Sequence, residues 1–474
     1  MVALSQLLGA ERPDDAVVAW RAAPGGDRVL RWSDFRAGVL GLERSLRELP
    51  AGRVALYTAD AYAFAIGLLA IWQSGRVAVC PPNGQPDSLE ALCDVVIAAV
   101  SDDSTPVPGR PLLAPEGEAD DAGEPGPLVR SAPALELFTS GTTGRGKAVA
   151  KALHHLEDEV ALLDSQLGER VGDAPVFGSA SHQHLYGMLF RVLWPLAAGR
   201  PFHATALLHA EELAARLRDH ATCALVSVPA QLKRLAERDG FAALARRCRV
   251  VFSSGGPLAA ETAERWQVAA GHAPVEIFGS TETGGVAWRR QGRGRADAPW
   301  TPFEGVRVSR DPVDGRLRVH SQLASVGDQR TGFAMGDAIR LEGDGRFAIE
   351  GRTDRVLKIG EKRLSLPEME ERLRVHPLVD EVALLPLEQA GETRLAAVIV
   401  PTAEAREQLH RRGRRAVSSE LREALAREWD RVLLPRYFRF VRALPEDAQG
   451  KVTLALLRAC FDEPSARTAP ESPA

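Results

Sequence analysis

The sequence predicts an α/β fold, with a large N-terminal region of parallel and mixed sheets covered by helices and a smaller C-terminal region of helices and strands. Residues 53–82 hold two short apolar strands on either side of an apolar helix, which is the βαβ pattern that joins parallel strands. From residue 315 the strands come in pairs, and the turn Gly343-Asp344-Gly345 is typical of an antiparallel hairpin. Further strands and helices follow Arg352.

Short apolar runs bounded by turn residues predict most of the strands. These runs are residues 53–59, 76–82, 134–138, 224–228, 250–252, 275–278, 315–321, 381–386 and 394–400. An apolar stretch ended by Gly75 predicts a helix over residues 61–74, and another helix is expected from residue 418 to about residue 431. Residues 101–127 are rich in Pro, Gly, Asp and Glu, which predicts a surface loop or a disordered segment.

The segment TSGTTGRGKAVA, residues 139–150, is typical of a phosphate-binding loop. Gly141, Gly146 and Lys147 have the spacing of a Walker loop, but that motif continues with Ser or Thr where this chain has Ala148. After the loop, apolar residues at spacings of three and four predict an amphipathic helix. These residues are Leu153, Leu156, Val160, Leu163 and Leu167. A strand, a glycine-rich loop and a helix in this order let backbone N–H groups converge on an anion.

Composition excludes several classes of protein. The chain has 474 residues, enough for two or more domains, and its net charge of −4 argues against nucleic acid as a partner. The five cysteines include no C-x-x-C pair, so neither a disulfide framework nor a zinc site is expected. The first residues do not read as a signal peptide, and the apolar run at residues 61–72 is too short to span a bilayer. We therefore expect a cytoplasmic protein without a membrane span.

Three more segments carry polar residues of the kinds that bind ligands or take part in catalysis. GSTETGG, residues 279–285, follows a strand and presents Thr281 and Glu282. Met335-Gly336-Asp337 places a carboxylate at the start of a strand, and QGKV ends the chain's polar motifs with Lys451. Each motif alone is a weak signal, whereas their order along the chain is specific.

That order resembles the adenylate-forming superfamily, which includes acyl-CoA synthetases, aryl-CoA ligases, firefly luciferase and the adenylation domains of peptide synthetases. LFTSGTTGRGKAV resembles its pyrophosphate loop, IFGSTETGG its aromatic-Gly-x-Thr-Glu motif and FAMGDAIRL its Gly-Asp motif. GRTDRVLKIG resembles its hinge, and QGKV resembles its C-terminal lysine motif. QSGRVAVCPPN and SHQHLYG also have counterparts, so the resemblance runs from about residue 50 to about residue 455.

The resemblance implies an N-terminal domain over residues 1–353, with a small antiparallel barrel-like part, and a mobile C-terminal lid over residues 354–474 that turns about a hinge at Asp354. It implies an enzyme that joins a carboxylate to ATP, releases pyrophosphate, and passes the acyl group from the adenylate to a thiol. ATP and Mg²⁺ are therefore the expected cofactors. Coenzyme A or the phosphopantetheine of an acyl carrier protein is the expected acceptor.

The resemblance also implies roles for particular residues. Lys451 would contact both the carboxylate and the α-phosphate, Glu282 would ligate Mg²⁺ together with Thr143, and His184 would lie at the acid pocket. The remaining nucleotide contacts would come from Thr139, Ser140, Gly141, Thr142, Thr143, Gly144, Lys147, Phe278 on adenine, Thr281, and Asp337 with Arg352 on the ribose. The acid pocket would be lined by Tyr186, Gly187, Val228, Gly255, Gly256 and Gly279, and nearby aromatic residues favour an aromatic or medium-sized acid.

Several alternatives stay open at the level of sequence. The family usually has Lys-x-x-Gly after the hinge, and Gly360-Glu361 departs from it, which makes a carrier-protein acceptor more attractive than free coenzyme A. The arginines of residues 411–415 are either solvated charge or a docking site for an acidic carrier protein. His184 and His182 are each either pocket residues or hydrogen-bonded core histidines. A nucleotide-binding regulatory module with the same fold is the alternative function, while a Walker NTPase fails on Ala148.

Overall fold

The chain divides into two compact units in the computed structural model. The structure describes residues 1–81, 84, 86–102, 107–115, 124–139, 147–217, 220–291, 298–325, 331–352, 356–359, 362–389, 392–429, 431–447 and 452–462. The first unit comprises Met1–Ser309, Arg318–Ala334 and Leu341–Ala348, and the second comprises Arg310–Leu317, Met335–Arg340 and Ile349–Ala474. The predicted division between residues 353 and 354 stays a prediction.

Strands are numbered in chain order. They are β1 (Val17–Ala23), β2 (Gly26–Arg31), β3 (Arg53–Leu56), β4 (Val77–Cys80), β5 (Ala98–Val100), β6 (Leu112–Leu113), β7 (Pro133–Thr139), β8 (Lys147–Ala152), β9 (Val176–Gly178), β10 (Phe202–His203), β11 (Cys223–Ser227), β12 (Cys248–Ser253), β13 (Val275–Ser280), β14 (Gly284–Arg289), β15 (Thr301–Pro302), β16 (Arg307–Arg310), β17 (Arg316–His320), β18 (Phe333–Leu341), β19 (Phe347–Arg352), β20 (Val356–Ile359), β21 (Lys362–Ser365), β22 (Val379–Gln389), β23 (Glu392–Pro401) and β24 (Tyr437–Phe440).

Helices are numbered in the same way. They are α1 (Trp32–Arg47), α2 (Ala61–Gln73), α3 (Pro86–Glu90), α4 (Leu153–Val171), α5 (Leu185–Met188), α6 (Trp194–Ala198), α7 (Ala210–Arg216), α8 (Pro229–Ala236), α9 (Phe241–Ala245), α10 (Ala260–Ala270), α11 (Leu366–Arg374), α12 (Ala403–Leu425) and α13 (Leu454–Asp462). A π-helical turn, Leu189–Leu193, joins α5 to α6, and 3₁₀ turns lie at Leu4–Gly9 and Arg431–Leu433.

A nine-stranded mixed sheet forms the largest layer, in the order β15-β14-β13-β12-β11-β9-β10-β1-β2. Its centre is parallel, because the consecutive pairs β10–β9, β9–β11, β11–β12 and β12–β13 are all parallel. Its edges are antiparallel, where β14 pairs with β13 and β2 pairs with β1. The inner strands are buried on both faces, as continuous apolar strands of a parallel sheet usually are.

A second mixed sheet has six strands in the order β6-β5-β3-β4-β7-β8. The predicted βαβ unit is confirmed, since β3 and β4 are parallel and α2 connects them. Asp60 caps α2 by accepting the N–H groups of Tyr62 and Ala63 at 3.0 and 2.9 Å. The helix ends before Gly75, whose φ of 71° places it in the left-handed region.

The segment after the glycine-rich loop differs from the predicted strand-loop-helix order. Residues 147–152 form β8, which pairs antiparallel with β7, so the loop joins two strands of a hairpin. Val149 lies opposite Leu137 and both are buried, which explains why this short segment extends the sheet before the helix begins. The predicted apolar stripe is confirmed: α4 starts at Leu153, and Leu153, Leu156, Val160, Leu163 and Leu167 are all buried.

The remaining sheets are smaller. The predicted hairpin is confirmed within a four-stranded sheet of order β16-β17-β18-β19. In the second unit, β22, β23 and β24 form a three-stranded sheet, with one apolar cluster shared with α11 and α12 and another shared with α13. These layers confirm the predicted α/β class, with mixed sheets toward the N-terminus, an antiparallel part and a C-terminal α+β region. Among the described residues, no helix is both long and apolar enough to cross a membrane.

The last predicted helix was wrong in its bounds. The expected helix over residues 418 to about 431 is the second half of α12, which spans Ala403–Leu425. Thr402 starts it by accepting the N–H of Ala405 at 3.2 Å, and Gly413, with φ 78° and ψ 164°, breaks its regular geometry. The arginines of residues 411–415 surround this break. They therefore lie where the two helical segments of α12 meet.

Gly178 in β9 is a position where only glycine fits. A Cβ at this residue would lie 2.4 Å from the backbone oxygen of Val226 in β11, and a backbone atom inside a sheet cannot move aside. We expect Gly178→Ala to destabilise the protein by about 1–3 kcal/mol, as overpacking does in other cores. The measurement is the midpoint of thermal unfolding.

Gly343→Ala is the matched control for this substitution. A Cβ at Gly343 would meet no heavy atom within 4 Å, so the melting temperature should stay close to that of the unchanged protein. Equal melting temperatures for the two variants would contradict the packing argument at Gly178.

Candidate functional site

Sequence-distant segments meet at one edge of the nine-stranded sheet. The strands β9, β11, β12 and β13 are parallel neighbours, so their carboxyl ends lie side by side, which is where open α/β sheets bind ligands. The hydroxyls of Ser179 and Ser227 are 2.8 Å apart, and Ser254 donates to the carbonyl oxygen of Ile277 at 2.8 Å. The predicted pocket residues Val228, Gly255, Gly256 and Gly279, and the predicted adenine contact Phe278, follow or end these strands.

The segment from Ser181 to Gly187 lies against this edge. Tyr186 donates its phenolic hydrogen to the carbonyl oxygen of Ser227 at 3.2 Å, which joins the segment to the residue before Val228. Burial raises the pKa of Tyr186 well above its ordinary value of 10, so the phenol stays neutral. A Cβ on Gly187 would lie 2.0 Å from the backbone oxygen of Ser181, so this turn requires glycine.

The two histidines of this segment have different surroundings. His182 is 3% exposed, its Nε2 lies 2.9 Å from the carbonyl oxygen of Thr58, and its ring packs 5.0 Å from that of Phe64. A carbonyl oxygen only accepts, so Nε2 carries a hydrogen, and burial lowers the pKa of the ring to about 3, which keeps it neutral near pH 7. His182 is therefore the hydrogen-bonded core histidine. His184 is half-buried at the N-terminus of α5, and its pocket role stays a prediction.

The aromatic residues that pack near Tyr186 are buried. The Tyr186 ring is 4.9 Å from that of Phe190, which in turn packs against Trp194 and Phe252. Phe190 and Trp194 are both buried, and the Trp194 indole donates to Asp164 at 2.8 Å. They support the ring of Tyr186 from the core.

Glu282 lies in a tight turn between β13 and β14. Thr283 closes the turn, because its hydroxyl lies 3.1 Å from both the backbone nitrogen and the hydroxyl of Ser280. The carbonyl oxygen of Glu282 accepts the N–H of Ser325 at 2.9 Å. The side chains of Thr281 and Glu282 are half-buried, at the same end of the sheet as Phe278.

Phe278, the predicted adenine contact, sits in an aromatic group. Its ring centroid is 5.4 Å from that of Trp300 and 6.0 Å from that of Phe347. Gly279 follows it, and a Cβ there would lie 2.2 Å from the backbone oxygen of Gly284. The close approach of β13 and β14 at this point therefore depends on a residue without a side chain.

Sequence reasoning missed two charged residues beneath this turn, Lys151 and Glu159. Lys151 is 1% exposed and Glu159 is 3% exposed. Glu159 accepts the N–H of Gly285 at 2.7 Å, and Lys151 donates to the carbonyl oxygen of Leu323 at 3.3 Å. A signal was present, because Glu159 falls at i+3 from Leu156 on the apolar stripe of α4 and Lys151 shares a strand face with Val149.

Burial and charge act in opposite directions on these two residues. Burial lowers the pKa of Lys151, while the charges of Glu159 and Glu282 raise it. Burial raises the pKa of Glu159, while the charge of Lys151 and the hydrogen bond from Gly285 lower it. Each charge thus helps the other to stay ionised away from solvent.

The second unit carries another part of the predicted site. Asp337 is 5% exposed in β18, and Arg352 is the last residue of β19. The other predicted contacts lie outside the described residues. These are Ser140, Gly141, Thr142, Thr143, Gly144, Asp354 and Lys451, together with the side chains of Thr139, Lys147 and Arg352. Their roles stay predictions.

The described residues suit a cation that a nucleotide and the protein bind together. They suit a cation held by protein ligands alone less well. No three His, Cys, Asp or Glu side chains in the described ranges converge as metal ligands would. Mg²⁺ bound with nucleotides usually takes one or two protein carboxylates and completes its shell with phosphate oxygens and water. The half-buried carboxylate of Glu282, a hard oxygen donor at the binding edge, suits that arrangement.

Comparison with known proteins gives matches to two family profiles and to solved structures. The profile of the AMP-binding enzyme family matches residues 8–309, and that of the AMP-binding enzyme C-terminal domain matches residues 368–451. The ATP-bound crystal structure of MatB from Rhodopseudomonas palustris superposes with a TM-score of 0.78 at 21% identity, covering 97% of this chain and 99% of that one.

Three curated relatives are ligases. A 4-hydroxybenzoate–CoA/benzoate–CoA ligase of Rhodopseudomonas palustris is 28% identical over 91% of this chain and 81% of its own length. A 4-coumarate–CoA ligase of Rhodobacter capsulatus is 31% identical over 68% of this chain and 76% of its length. A probable CoA ligase of Humulus lupulus is 27% identical over 68% of this chain but only 60% of its own length.

His182 makes stability depend on pH. Burial, with smaller contributions from Arg191 and His184, lowers its pKa from the ordinary 6.5 to about 3, whereas the unfolded chain takes up a proton near 6.5. The neutral His182 ring therefore contributes fully to the free energy of unfolding above pH 6.5. That contribution is lost as the pH falls from 6.5 toward 3, at about 1.4 kcal/mol per pH unit for one proton. We expect His182→Asn to show a shallower loss of unfolding free energy between pH 6.5 and 5.

Unfolding at pH 8 serves as the reference for this comparison, since histidine is neutral there in both states. The Asn variant will be less stable at pH 8 because it loses packing against Phe64. An unchanged slope below pH 6.5 in that variant would show that His182 is already protonated in the folded protein.

Proposed function

Because this chain belongs to the AMP-binding enzyme family, we propose that it is an ATP-dependent carboxylate ligase. In the first step a carboxylate oxygen of the acid attacks the α-phosphorus of ATP, and the bond to the β-phosphate breaks, which yields an acyl-adenylate and pyrophosphate. In the second step a thiol attacks the acyl carbon, which yields a thioester and releases AMP. Coenzyme A is the acceptor that the CoA ligase relatives favour.

The observation that carries this proposal is the meeting of three predicted elements at one sheet edge. The turn of Glu282, the ring of Phe278 and the segment that carries Tyr186 all lie at the carboxyl ends of parallel strands. A carboxylate and an aromatic ring at this edge suit a cation and a purine, and the ring of Tyr186 offers an apolar surface to an organic acid beside them. The edge therefore supports the two-substrate chemistry of the first step.

Each predicted residue takes a proposed role in this scheme. Thr139, Lys147 and the loop between them would bind the β- and γ-phosphates, and Phe278 and Thr281 would contact the nucleotide. Asp337 and Arg352 would bind the ribose hydroxyls, and Lys451 would offset charge at the α-phosphate, with the C-terminal lid turning about Asp354 between the steps. Glu282 and Thr143 would hold Mg²⁺, which when bound neutralises phosphate charge.

The pocket residues support an aromatic or medium-sized acid. Tyr186, Gly187, Val228, Gly255, Gly256 and Gly279 would form its walls, with His184 as a polar group. Tyr186 presents an aromatic face that Phe190 and Phe252 support from the core. The named activities of two relatives, on hydroxybenzoate, benzoate and coumarate, favour the same class of acid.

A carrier protein is the second candidate acceptor, and one feature of the second unit favours it. A surface groove of about 620 Å³ lies beside α12 and β24, and Glu423 is the acidic residue in its lining. Arginines dominate that lining: Arg414, Arg415, Arg422, Arg431, Arg436 and Arg439. Arginine pairs with carboxylates through two parallel hydrogen bonds, so this arginine groove suits the acidic face of a carrier protein.

Carboxylate-dependent exchange of pyrophosphate into ATP tests the first step. We expect exchange with benzoic or hydroxycinnamic acids above that with short or long aliphatic acids, because an aromatic ring matches the face of Tyr186. Lys451→Ala should lower the exchange by roughly 10²- to 10³-fold, the usual cost of removing one group that stabilises charge in a transition state.

Two results would count against the ligase. ATP binding without exchange for any acid would favour a nucleotide-binding regulatory module with the same fold. Release of ADP and phosphate, in place of AMP and pyrophosphate, would indicate an NTPase.

Charge reversal in the arginine groove tests the acceptor. If a carrier protein docks there, Arg414→Glu combined with Arg415→Glu should lower acylation of phosphopantetheinylated carrier proteins while thioester formation with coenzyme A is retained. Unchanged rates with both acceptors would remove the docking role from the groove. Arg411→Glu, also exposed in α12 but outside the groove lining, is the matched control.

A further inference from the structure

Lys151 and Glu159 bring two opposite charges into the core directly beneath the turn of Glu282. Lys151 comes from β8 and Glu159 from α4, and each is at least 97% buried. Buried charges are costly, and a pair of them is rarely retained for stability alone, since apolar residues of similar volume often serve as well. Their position beneath the turn therefore indicates a role in the function of Glu282.

Glu159 holds the backbone on the C-terminal side of Glu282. Its Oε1 accepts the N–H of Gly285 at 2.7 Å. A Cβ on Gly284 would lie 2.7 Å from Oε2 of Glu159. Gly284 has a φ of 68°, so the chain passes over this carboxylate in a conformation that favours glycine. The first residues of β14 are thus seated on Glu159, which fixes where the turn ends.

Lys151 acts on the other side, through the segment from Ser321 to Ser325. Its Nζ donates to the carbonyl oxygen of Leu323 at 3.3 Å. Two residues later, the N–H and the hydroxyl of Ser325 both donate to the carbonyl oxygen of Glu282, at 2.9 and 3.3 Å. The lysine therefore anchors the segment that holds the backbone of Glu282.

The pair also controls the charge beneath the turn. Lys151 interacts electrostatically with both Glu159 and Glu282. With both members ionised the pair is neutral, so it adds no net charge beneath the turn. Loss of Glu159 alone would leave a buried positive charge next to Glu282, which would repel a divalent cation there.

We propose that Lys151 and Glu159 are positioning residues that set the orientation and electrostatic surroundings of Glu282 as a ligand of the nucleotide-bound cation. This inference rests on the proposed function, because it takes Glu282 to be that ligand. Groups that orient a metal ligand commonly change metal affinity by about 10- to 100-fold when they are replaced.

The experiment measures ATP binding by isothermal titration calorimetry over a series of Mg²⁺ concentrations, and it needs no acid substrate. Glu159→Gln retains an acceptor for the N–H of Gly285 but removes the charge, and Lys151→Met retains the volume of the side chain. Glu159→Gln should raise the Mg²⁺ concentration for half-maximal ATP binding by roughly tenfold or more, whereas Lys151→Met should change it less, because the unpaired charge of Glu159 attracts a cation while the anchor to Leu323 is lost. ATP binding without Mg²⁺ should change little, because neither residue is predicted to contact the nucleotide.

The double variant Lys151→Met with Glu159→Gln restores a neutral interior, so it should fold even if a single variant does not. Its Mg²⁺ midpoint should lie between those of the unchanged protein and Glu159→Gln, because the repelling charge is gone while the contact with Leu323 is still missing.

Glu157→Gln is the control. Glu157 is buried on the same helix but accepts the N–H of Ser5 at 2.7 Å, so its replacement should lower the melting temperature without moving the midpoint. If Glu159→Gln and the double variant behave in the same way as Glu157→Gln, the pair has only a structural role and the inference fails. If the protein without substitutions shows no Mg²⁺-dependent ATP binding, the proposed function fails and this inference fails with it.

Discussion

The hydrogen-bonded parallel register of β9, β11, β12 and β13 is the constraint on which the rest of the structure depends. Parallel neighbours end at the same edge, so the register alone brings together segments that follow residues 178, 227, 253 and 280. Hydroxyl groups then join adjacent strand ends, as between Ser254 and Ile277. Each strand at this edge is held by the ladder that it shares with the next strand.

Buried polar side chains hold the loops at that edge. The guanidinium of Arg191 donates to the carbonyl oxygens of Ala180, His203 and Thr205 at 2.6, 3.4 and 3.3 Å. Burial lowers its pKa from 12.5 to about 10, so it remains charged at neutral pH. His182 acts in the same way toward Thr58, as a neutral ring. Backbone groups without a regular partner are thus satisfied by side chains, which stabilises irregular chain segments in a dry interior.

Sequence periodicity was sufficient for elements whose burial is local. The apolar stripe from Leu153 to Leu167 predicted α4, and the run ended by Gly75 predicted α2, because side chains three and four residues apart share a helix face. Periodicity was insufficient for β8, whose strand conformation comes from pairing with β7, and for α12, which Gly413 divides into two helical segments. Pairing partners and helix breaks depend on contacts that a local pattern does not contain.

The sequence by itself determined the order of the motifs, the α/β class and the identity of candidate residues such as Phe278 and Glu282. The order of the motifs and the α/β class follow from local composition and spacing, and the candidate residues follow from the resemblance of those motifs to a known family. Only the tertiary structure decided that His182 is a core residue, and that Lys151 and Glu159 lie beneath the turn of Glu282. Glu159 and Gly285 are 126 residues apart, and Lys151 and Leu323 are 172 residues apart. Contacts over such separations exist only after the sheets have paired, so the chemistry of the turn depends on neighbours that its own motif does not include.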